Sequence, residues 1–116
     1  MLSKKRRISK KHFPYILTKG KRYNTPHLLM YINRVDSGNQ NQASQFSFSI
    51  SKKVAPKAVD RNKYRRRGYS VIRRHINRIK SGYLLLFSFK KGRANLKFSE
   101  LEKEILELLS NYNMLE

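Results

Sequence analysis

A basic segment from Lys52 to Lys80 constrains the fold of this 116-residue chain more than any other feature of its sequence. It holds twelve Lys or Arg residues and a single acid, Asp60. Pro56 can open a helix, and a helical pattern then continues from Lys57 to Lys80. Because like charges so closely spaced repel each other, this helix needs a polyanion to neutralise it.

At 100° per residue, the predicted helix has an apolar stripe and a basic outer face. The stripe consists of Tyr64, Gly68, Val71, Ile72, Ile76 and Ile79. The outer face, which we expect to be solvated, consists of Lys63, Arg67, Arg74 and Arg78. Arg61 and Arg65 continue the stripe toward the helix N-terminus, where its packing should open out. The residues along the flank of the stripe are Asn62, Arg66, Tyr69 and Arg73.

Several other segments have the length and pattern of β-strands. Residues 28–32 form an apolar run, and residues 46–51 alternate strictly between apolar and polar side chains. The polar loop 37–42 separates these two strands, which predicts an antiparallel pair. Residues 83–89 are almost continuously apolar, which predicts a central strand. A further short strand is expected near residues 21–23.

Two more helices complete the pattern. A short helix is predicted from Phe13 to Gly20. Ser99, with Glu102 three residues later, predicts a capping box at the start of a final helix. Together the elements predict one α+β domain over residues 1–116, a two-layer sandwich of a small mixed four-stranded sheet with helices. Residues 1–11 are expected to form a flexible basic arm.

Composition and charge narrow the choice of partner. The net charge is +20, yet five of the seven acids lie in the last seventeen residues, so a polyanion should bind the body of the domain. No apolar run approaches the ~20 residues of a membrane-spanning helix, so no membrane partner is expected. The absence of cysteine excludes disulfides and thiol catalysis and is compatible with a cytoplasmic location.

Side chains suited to catalysis are scarce. The histidines His12, His27 and His75 have no obvious acidic partners, and His75 falls on the apolar stripe as a packed core histidine. Asp60 is predicted to stabilise the helix N-terminus or pair locally with Arg61. No zinc spacing, Gly-rich phosphate loop or nucleophile motif occurs. We therefore predict no catalytic residue and no metal site within the protein.

Aromatic side chains could stack on unpaired bases, at ~1–3 kcal/mol per base. Phe46 and Phe48 are predicted to lie in the core, although stacking is the alternative. For Tyr31 both interpretations stay open, because its hydroxyl needs water or a partner. Phe13 is a further stacking candidate.

Four classes of protein share these features in part. An RNA-binding subunit of a larger complex and a small ribosomal protein both fit the charge and the fold class. The shortage of acids argues against a stand-alone nuclease, since such an enzyme needs carboxylates to hold metals. Nothing resembles the short recognition helix of a helix-turn-helix pair, which argues against DNA binding.

Three short motifs lie between the alternating strand and the middle of the basic helix. They are Ser51-Lys52-Lys53, Ala58-Val59 and Arg61-Asn62-Lys63-Tyr64-Arg65-Arg66. Together they resemble the signature of the bacterial ribonuclease P protein component. The order of the other elements agrees with that family over nearly the whole chain.

The resemblance implies a fold similar to the second domain of ribosomal protein S5, with a left-handed βαβ crossover through the basic helix. It also implies an RNA-binding subunit of ribonuclease P, whose partners are the catalytic RNA and precursor tRNA. The RNA subunit would remove the 5′ leader, with Mg²⁺ bound mainly by that RNA and the substrate. The protein alone is expected to be inactive.

The resemblance also assigns site residues by position. The matches to signature positions that contact RNA are Lys52, Lys53, Arg61, Asn62, Arg65 and Arg66. In the cleft that holds the single-stranded leader, Phe13 and Tyr31 match aromatic positions, and Leu17 stands where the family often has a second aromatic.

The chain departs from the family pattern at four places. Residues 54–57 are one residue longer than the usual segment and lack its Gly. Lys63 stands for the usual arginine, which keeps the charge but loses bidentate geometry. Tyr69 replaces a later arginine, and Gly68 should cost the helix ~1 kcal/mol relative to Ala.

Overall fold

The computed structural model describes residues 6–34, 43–90 and 97–115. The strands in these ranges are β1 (Lys21–Asn24), β2 (Leu28–Arg34), β3 (Gln45–Ser49) and β4 (Tyr83–Phe89). The α-helices are α1 (Phe13–Lys19), α2 (Ala58–His75) and α3 (Phe98–Asn111). The sheet order is β1-β2-β4-β3, with β3 parallel to β4 and the other pairs antiparallel. The predicted α+β class and mixed four-stranded sheet are confirmed.

The predicted antiparallel pairing of β2 with β3 is wrong, because β4 lies between them. The chain leaves β3, crosses over through α2 and returns parallel to β3 as β4. Since β4 is apolar toward both faces of the sheet, the central position buries more of its surface than an edge would. The predicted loop at residues 37–42 lies outside the described residues.

One face of the sheet packs against α2 and α3 and carries the larger core. Phe46 and Phe48 are buried there, which confirms their predicted core position. The ring of Phe48 stacks on Phe87 with centroids 4.9 Å apart and meets Tyr69 edge-on at 5.2 Å. Aromatic pairs in these geometries add to the free energy gained by burial.

Gly68 lets α2 approach the sheet closely. A Cβ atom at this position would lie 2.5 Å from the ring of Phe48, which is shorter than a van der Waals contact. The glycine costs the helix ~1 kcal/mol of propensity relative to Ala. Full burial of a Phe side chain contributes ~1.5–3 kcal/mol, which offsets that cost.

The opposite face of the sheet carries a smaller cluster. Ile8, Ile16 and Leu86 are buried in it, and the half-buried Phe13, Tyr31 and Leu84 pack around them.

The N-terminal residues run along the free edge of β3. Arg7 forms a parallel bridge with Phe46, and the Ile8 N–H donates to the Phe46 carbonyl at 2.9 Å. Within the segment expected to be a flexible arm, Arg7 and Ile8 therefore pair with β3, and residues 1–5 lie outside the described residues.

The helix ends differ from their predicted positions. Helix α2 ends at His75 and passes into a 3₁₀ turn over Ile76–Arg78, so the helix predicted to Lys80 is too long. The capping box predicted for Ser99 is wrong, because α3 begins at Phe98. The Glu100 carboxylate instead accepts a hydrogen bond from the Lys97 N–H at 3.2 Å.

Glutamates of α3 provide the acidic partners that the histidines lacked in the sequence. Glu102 accepts from Nε2 of the half-buried His75 at 3.0 Å and pairs with Arg74 at 3.3 Å. Glu104 contacts Nδ1 of His27. The expectation that these two histidines have no acidic partner is wrong, because the pairs join residues far apart in the chain.

Glu104 fastens the turn between β1 and β2 to α3. Its carboxylate accepts hydrogen bonds from the Thr25 hydroxyl and, at 3.0 Å, from the His27 N–H. Burial opposes ionisation of Glu104, but the hydrogen bonds from Thr25 and His27 together hold the pKa of this carboxyl below its usual value. On the other side of the turn, the Lys90 ammonium donates to the Thr25 carbonyl at 2.6 Å.

Candidate nucleic-acid interface

A cleft with a volume of ≈ 410 Å³ opens along the free edge of β3 and is called the β3-edge cleft below. Its lining residues are Arg7, Ile8, Lys10, Phe13, Ser47, Phe48, Ser49, Ile50, Arg65 and Tyr69. They come from three separate parts of the chain: the N-terminal segment with α1, the strand β3 and the basic helix α2. The cleft therefore exists only in the folded protein.

Strand alternation explains the wall that β3 contributes. Phe46 and Phe48 point into the core, so Ser47 and Ser49 face the other side of the sheet. Ser49 is exposed, whereas Ser47 is largely buried at the base of the cleft lining. The strand thus offers hydroxyl groups, which can donate to or accept from a ligand.

Helix periodicity explains the opposite wall. Arg65 and Tyr69 are four residues apart and share one side of α2. Tyr69 is buried with its ring against Phe48, and Arg65 is half-buried. With Arg7 and Lys10 from the N-terminal segment, three cations converge on the cleft. Cations beside hydroxyls and an aromatic ring suit a nucleotide chain, with charge for phosphates and a ring surface for bases.

Arg61 is occupied by a structural contact. Its Nη1 donates to the carbonyls of Ala55 and Pro56 at 2.9 and 2.8 Å. These bonds tie the start of α2 to the preceding loop, which carries Lys52 and Lys53. Arg61 therefore helps to fix where those two exposed lysines lie.

The other predicted RNA contacts lie on the accessible side of α2. Arg65 Nη1 donates to Asn62 Oδ1 at 2.8 Å, which orients both side chains. Asn62 and Arg66 are exposed. The signature residues therefore divide into an exposed basic surface, Arg61 in its structural contact, and Arg65, which reaches the β3-edge cleft.

The structure separates the three predicted cleft residues. Phe13 lines the β3-edge cleft. Tyr31 does not line it but packs with Phe13 on the same small cluster. Leu17 lies on the open side of α1 with 50% of its surface exposed.

Of the polar residues that line the β3-edge cleft, sequence reasoning identified only Arg65 as a binding residue. Arg7 and Lys10 were counted only as charges of the arm, and nothing local indicated that this arm docks on β3. The alternation of β3 did indicate that Ser47 and Ser49 face away from the core. Tyr69 was assigned to the flank of the stripe, whereas it is buried against the sheet.

The outer face of α2 is only partly solvated. Lys63 and Arg78 are exposed, as predicted. Arg67 is half-buried, with its guanidinium 6.0 Å from the centroid of the Tyr64 ring. Arg74 pairs with Glu102 at 3.3 Å. The prediction of a simply solvated face is wrong for Arg67, which is half-buried beside the Tyr64 ring, whereas Arg74 remains exposed next to its carboxylate partner.

Two further features of the described residues bear on the site. Within residues 6–34, 43–90 and 97–115, no three His, Asp or Glu side chains come close enough to hold a metal ion together. No helix in the same ranges has the length and apolar character needed to cross a membrane.

The fold and the interface define a class: small, strongly basic α+β proteins with a cationic helix packed on a mixed sheet. A family model for ribonuclease P matches residues 2–113. A ribonuclease P protein component from Microcystis aeruginosa is 30% identical over 103 residues, which cover 89% of this chain and 86% of that protein. One from Fusobacterium nucleatum is 31% identical, with 85% and 88% covered.

The solved structure of the RNase P protein of Staphylococcus aureus superposes with a TM-score of 0.80 at 18% identity. The match covers 96% of this chain and 98% of that one and supports the fold. The chain belongs to the ribonuclease P protein family.

Proposed function

We propose that this protein is the RNA-binding subunit of ribonuclease P and assists a catalytic RNA in removing the 5′ leader from precursor tRNA. The observation that carries the proposal is the convergence of Arg65, Phe13 and the β3 serines on one cleft. Family membership supports the role in ribonuclease P. The cleft adds a place where single-stranded RNA would bind.

In this proposal, the cleft and the exposed basic surface bind different RNAs. Arg65, Arg7 and Lys10 bind phosphates of the leader in the β3-edge cleft, and the ring of Phe13 receives a base. The exposed surface of Lys52, Lys53, Asn62 and Arg66 binds the RNA subunit, with Arg61 holding the loop in place. Tyr31 and Leu17 extend the leader surface beyond the cleft.

In this proposal, Mg²⁺ is bound by the RNA and not by the protein. The catalytic RNA and the substrate would hold the ions, and the protein would lower the Mg²⁺ concentration that they require by neutralising phosphates. The protein contributes no catalytic group of its own.

A reconstitution assay tests this function directly. A bacterial ribonuclease P RNA and a precursor tRNA are combined at low Mg²⁺ and near-physiological salt, with and without the protein. We expect 5′ processing to rise when the protein is added, and no processing by the protein alone. Processing that does not change on addition would refute the proposal.

Substitutions separate the two RNA surfaces. We expect Arg66→Ala to weaken assembly with the RNA subunit for all substrates, by ~0.2–1 kcal/mol for one exposed charged contact. Arg61→Ala should weaken assembly by more, because it also frees the loop that carries Lys52 and Lys53.

Substitutions at the leader surface should act only through the leader. Phe13→Ala and Tyr31→Ala should lower the affinity for precursor tRNA with a leader and have little effect on a substrate without one. Binding titrations of both substrates by the assembled holoenzyme measure the difference. Equal losses for both substrates would remove these residues from the leader surface.

A further inference from the structure

A second cleft lies beside the β3-edge cleft. It has a volume of ≈ 460 Å³ and is lined by Arg7, Ile8, Ser9, Lys11, His12 and Gln45. Arg7 and Ile8 line both clefts, so the bridge between Arg7 and Phe46 forms a wall that the two share. On β3, Ser47 follows the bridged residue and lines the first cleft, whereas Gln45 precedes it and lines the second.

Arg7 brings an unused donor to this shared wall. Its Nε atom is buried and, among the described residues, has no hydrogen-bond partner. Buried polar atoms in folded proteins are nearly always paired, and a guanidinium is charged at any ordinary pH. The Arg7 guanidinium therefore has hydrogen-bonding capacity at this wall that the described protein atoms do not use.

Two adjacent lysines serve different clefts. Lys10 lines the β3-edge cleft and Lys11 lines the second one. Both belong to the 3₁₀ turn Lys10–His12, in which successive side chains point roughly 120° apart. Both are exposed, so neither is needed for the core.

We propose that the second cleft binds a phosphodiester group of the RNA strand that occupies the β3-edge cleft, through Arg7, Lys11 and His12. The inference rests on the proposed function, in which that strand is the precursor leader. The cationic groups of Arg7 and Lys11 and the imidazole of His12 line the cleft, and no acid occurs among the described residues that line it. This is the chemistry that recognises a phosphate. Because the two clefts share a wall, one RNA strand could occupy them as consecutive binding subsites.

The pair Lys10→Ala and Lys11→Ala tests this proposal in the reconstituted holoenzyme. The substrates are precursor tRNAs whose leaders lengthen by one nucleotide at a time. We expect each substitution to weaken binding roughly 3- to 10-fold once the leader reaches its cleft. The slope of log K against log salt should fall by about 0.7 for the lost phosphate contact. The two losses should set in at different leader lengths.

The possible outcomes distinguish this inference from the proposed function. If Lys10→Ala weakens leader binding and Lys11→Ala binds every leader normally, the proposed second site is refuted and the proposed function stands. A Lys11→Ala loss that persists on a substrate without a leader would place the phosphate in the RNA subunit and overturn the inference. If the binding loss of neither lysine variant depends on leader length, and that of Arg65→Ala does not depend on it either, the leader-binding part of the proposed function fails as well.

Discussion

The face of the sheet toward α2 and α3 buries nineteen apolar side chains among the described residues, whereas the face toward α1 buries three. At ~1.5–3 kcal/mol for each fully buried large side chain, the first face supplies most of the stability. The second face is left with serines, half-buried aromatics and cations around open clefts. The difference shows how a small domain keeps a binding surface accessible: one face of its sheet stabilises the fold for both.

The β3-edge cleft lies where these two regions meet. Phe48 and Tyr69 belong to the large core and also form part of the cleft lining. The position of Arg65, one turn before Tyr69, is therefore fixed by packing on the stable face. We expect the cleft to keep its shape without RNA for this reason.

The largest expected effect comes from removing a ring of the large core. Phe87→Ala should lower the free energy of unfolding by ~3–5 kcal/mol, because Phe87 is fully buried and stacks on Phe48. Urea unfolding followed by circular dichroism measures the loss. The matched variant on the other face is Phe13→Ala, which should cost ~1 kcal/mol or less. Similar losses for both variants would contradict the division between the two faces.

The next largest effect should come from Glu104, which joins the large core to the β1–β2 turn. Glu104→Ala leaves the Thr25 and His27 donors without their acceptor and should cost ~2–3 kcal/mol. Thermal unfolding measures this loss. Glu104→Gln keeps an acceptor oxygen and should cost less. Equal costs for the two variants would argue against the hydrogen bonds as the source.

Glu104 also predicts a pH dependence. Folding lowers the pKa of this carboxyl below its ordinary value of 4.5, so its ionised form stabilises the fold above that pH. As pH falls through the lower folded-state pKa, this contribution is lost. The difference in unfolding free energy between wild type and Glu104→Gln should therefore be constant near pH 7 and shrink below about pH 4.5. A difference that grows on acidification would have the wrong sign.

The smallest effect concerns Gly68, where helix propensity and packing oppose each other. Gly68→Ala gains ~1 kcal/mol of propensity but places a methyl group 2.5 Å from the Phe48 ring, and overpacking costs ~1–3 kcal/mol. We expect a net loss of ~1 kcal/mol in urea unfolding. Ser70→Ala, at an exposed position of the same helix, should be neutral or slightly stabilising. A more stable Gly68→Ala protein would mean that the ring can move aside.

Much of the fold was predictable because it depends on local patterns. The alternation over residues 46–51, the apolar run at 83–89 and the stripe of α2 each indicated the correct element. The insertion of β4 between β2 and β3 was not predictable in this way, because strands that follow each other along the chain usually pair directly. The two His–Glu pairs were not predicted either, because they join residues far apart in the chain: Glu104 lies 77 residues from His27.

The sequence by itself determined the excess of positive charge, the basic helix with its signature and the α+β class. Those features depend on composition and on residues a few positions apart, where side-chain period and charge density are already set. Only the tertiary structure decided that Arg7, Ser47 and Arg65 line one cleft, that Gly68 admits Phe48 and that Arg61 holds a loop. These arrangements depend on how separate elements pack together, and packing is resolved only when the whole sheet and its two unequal faces have formed.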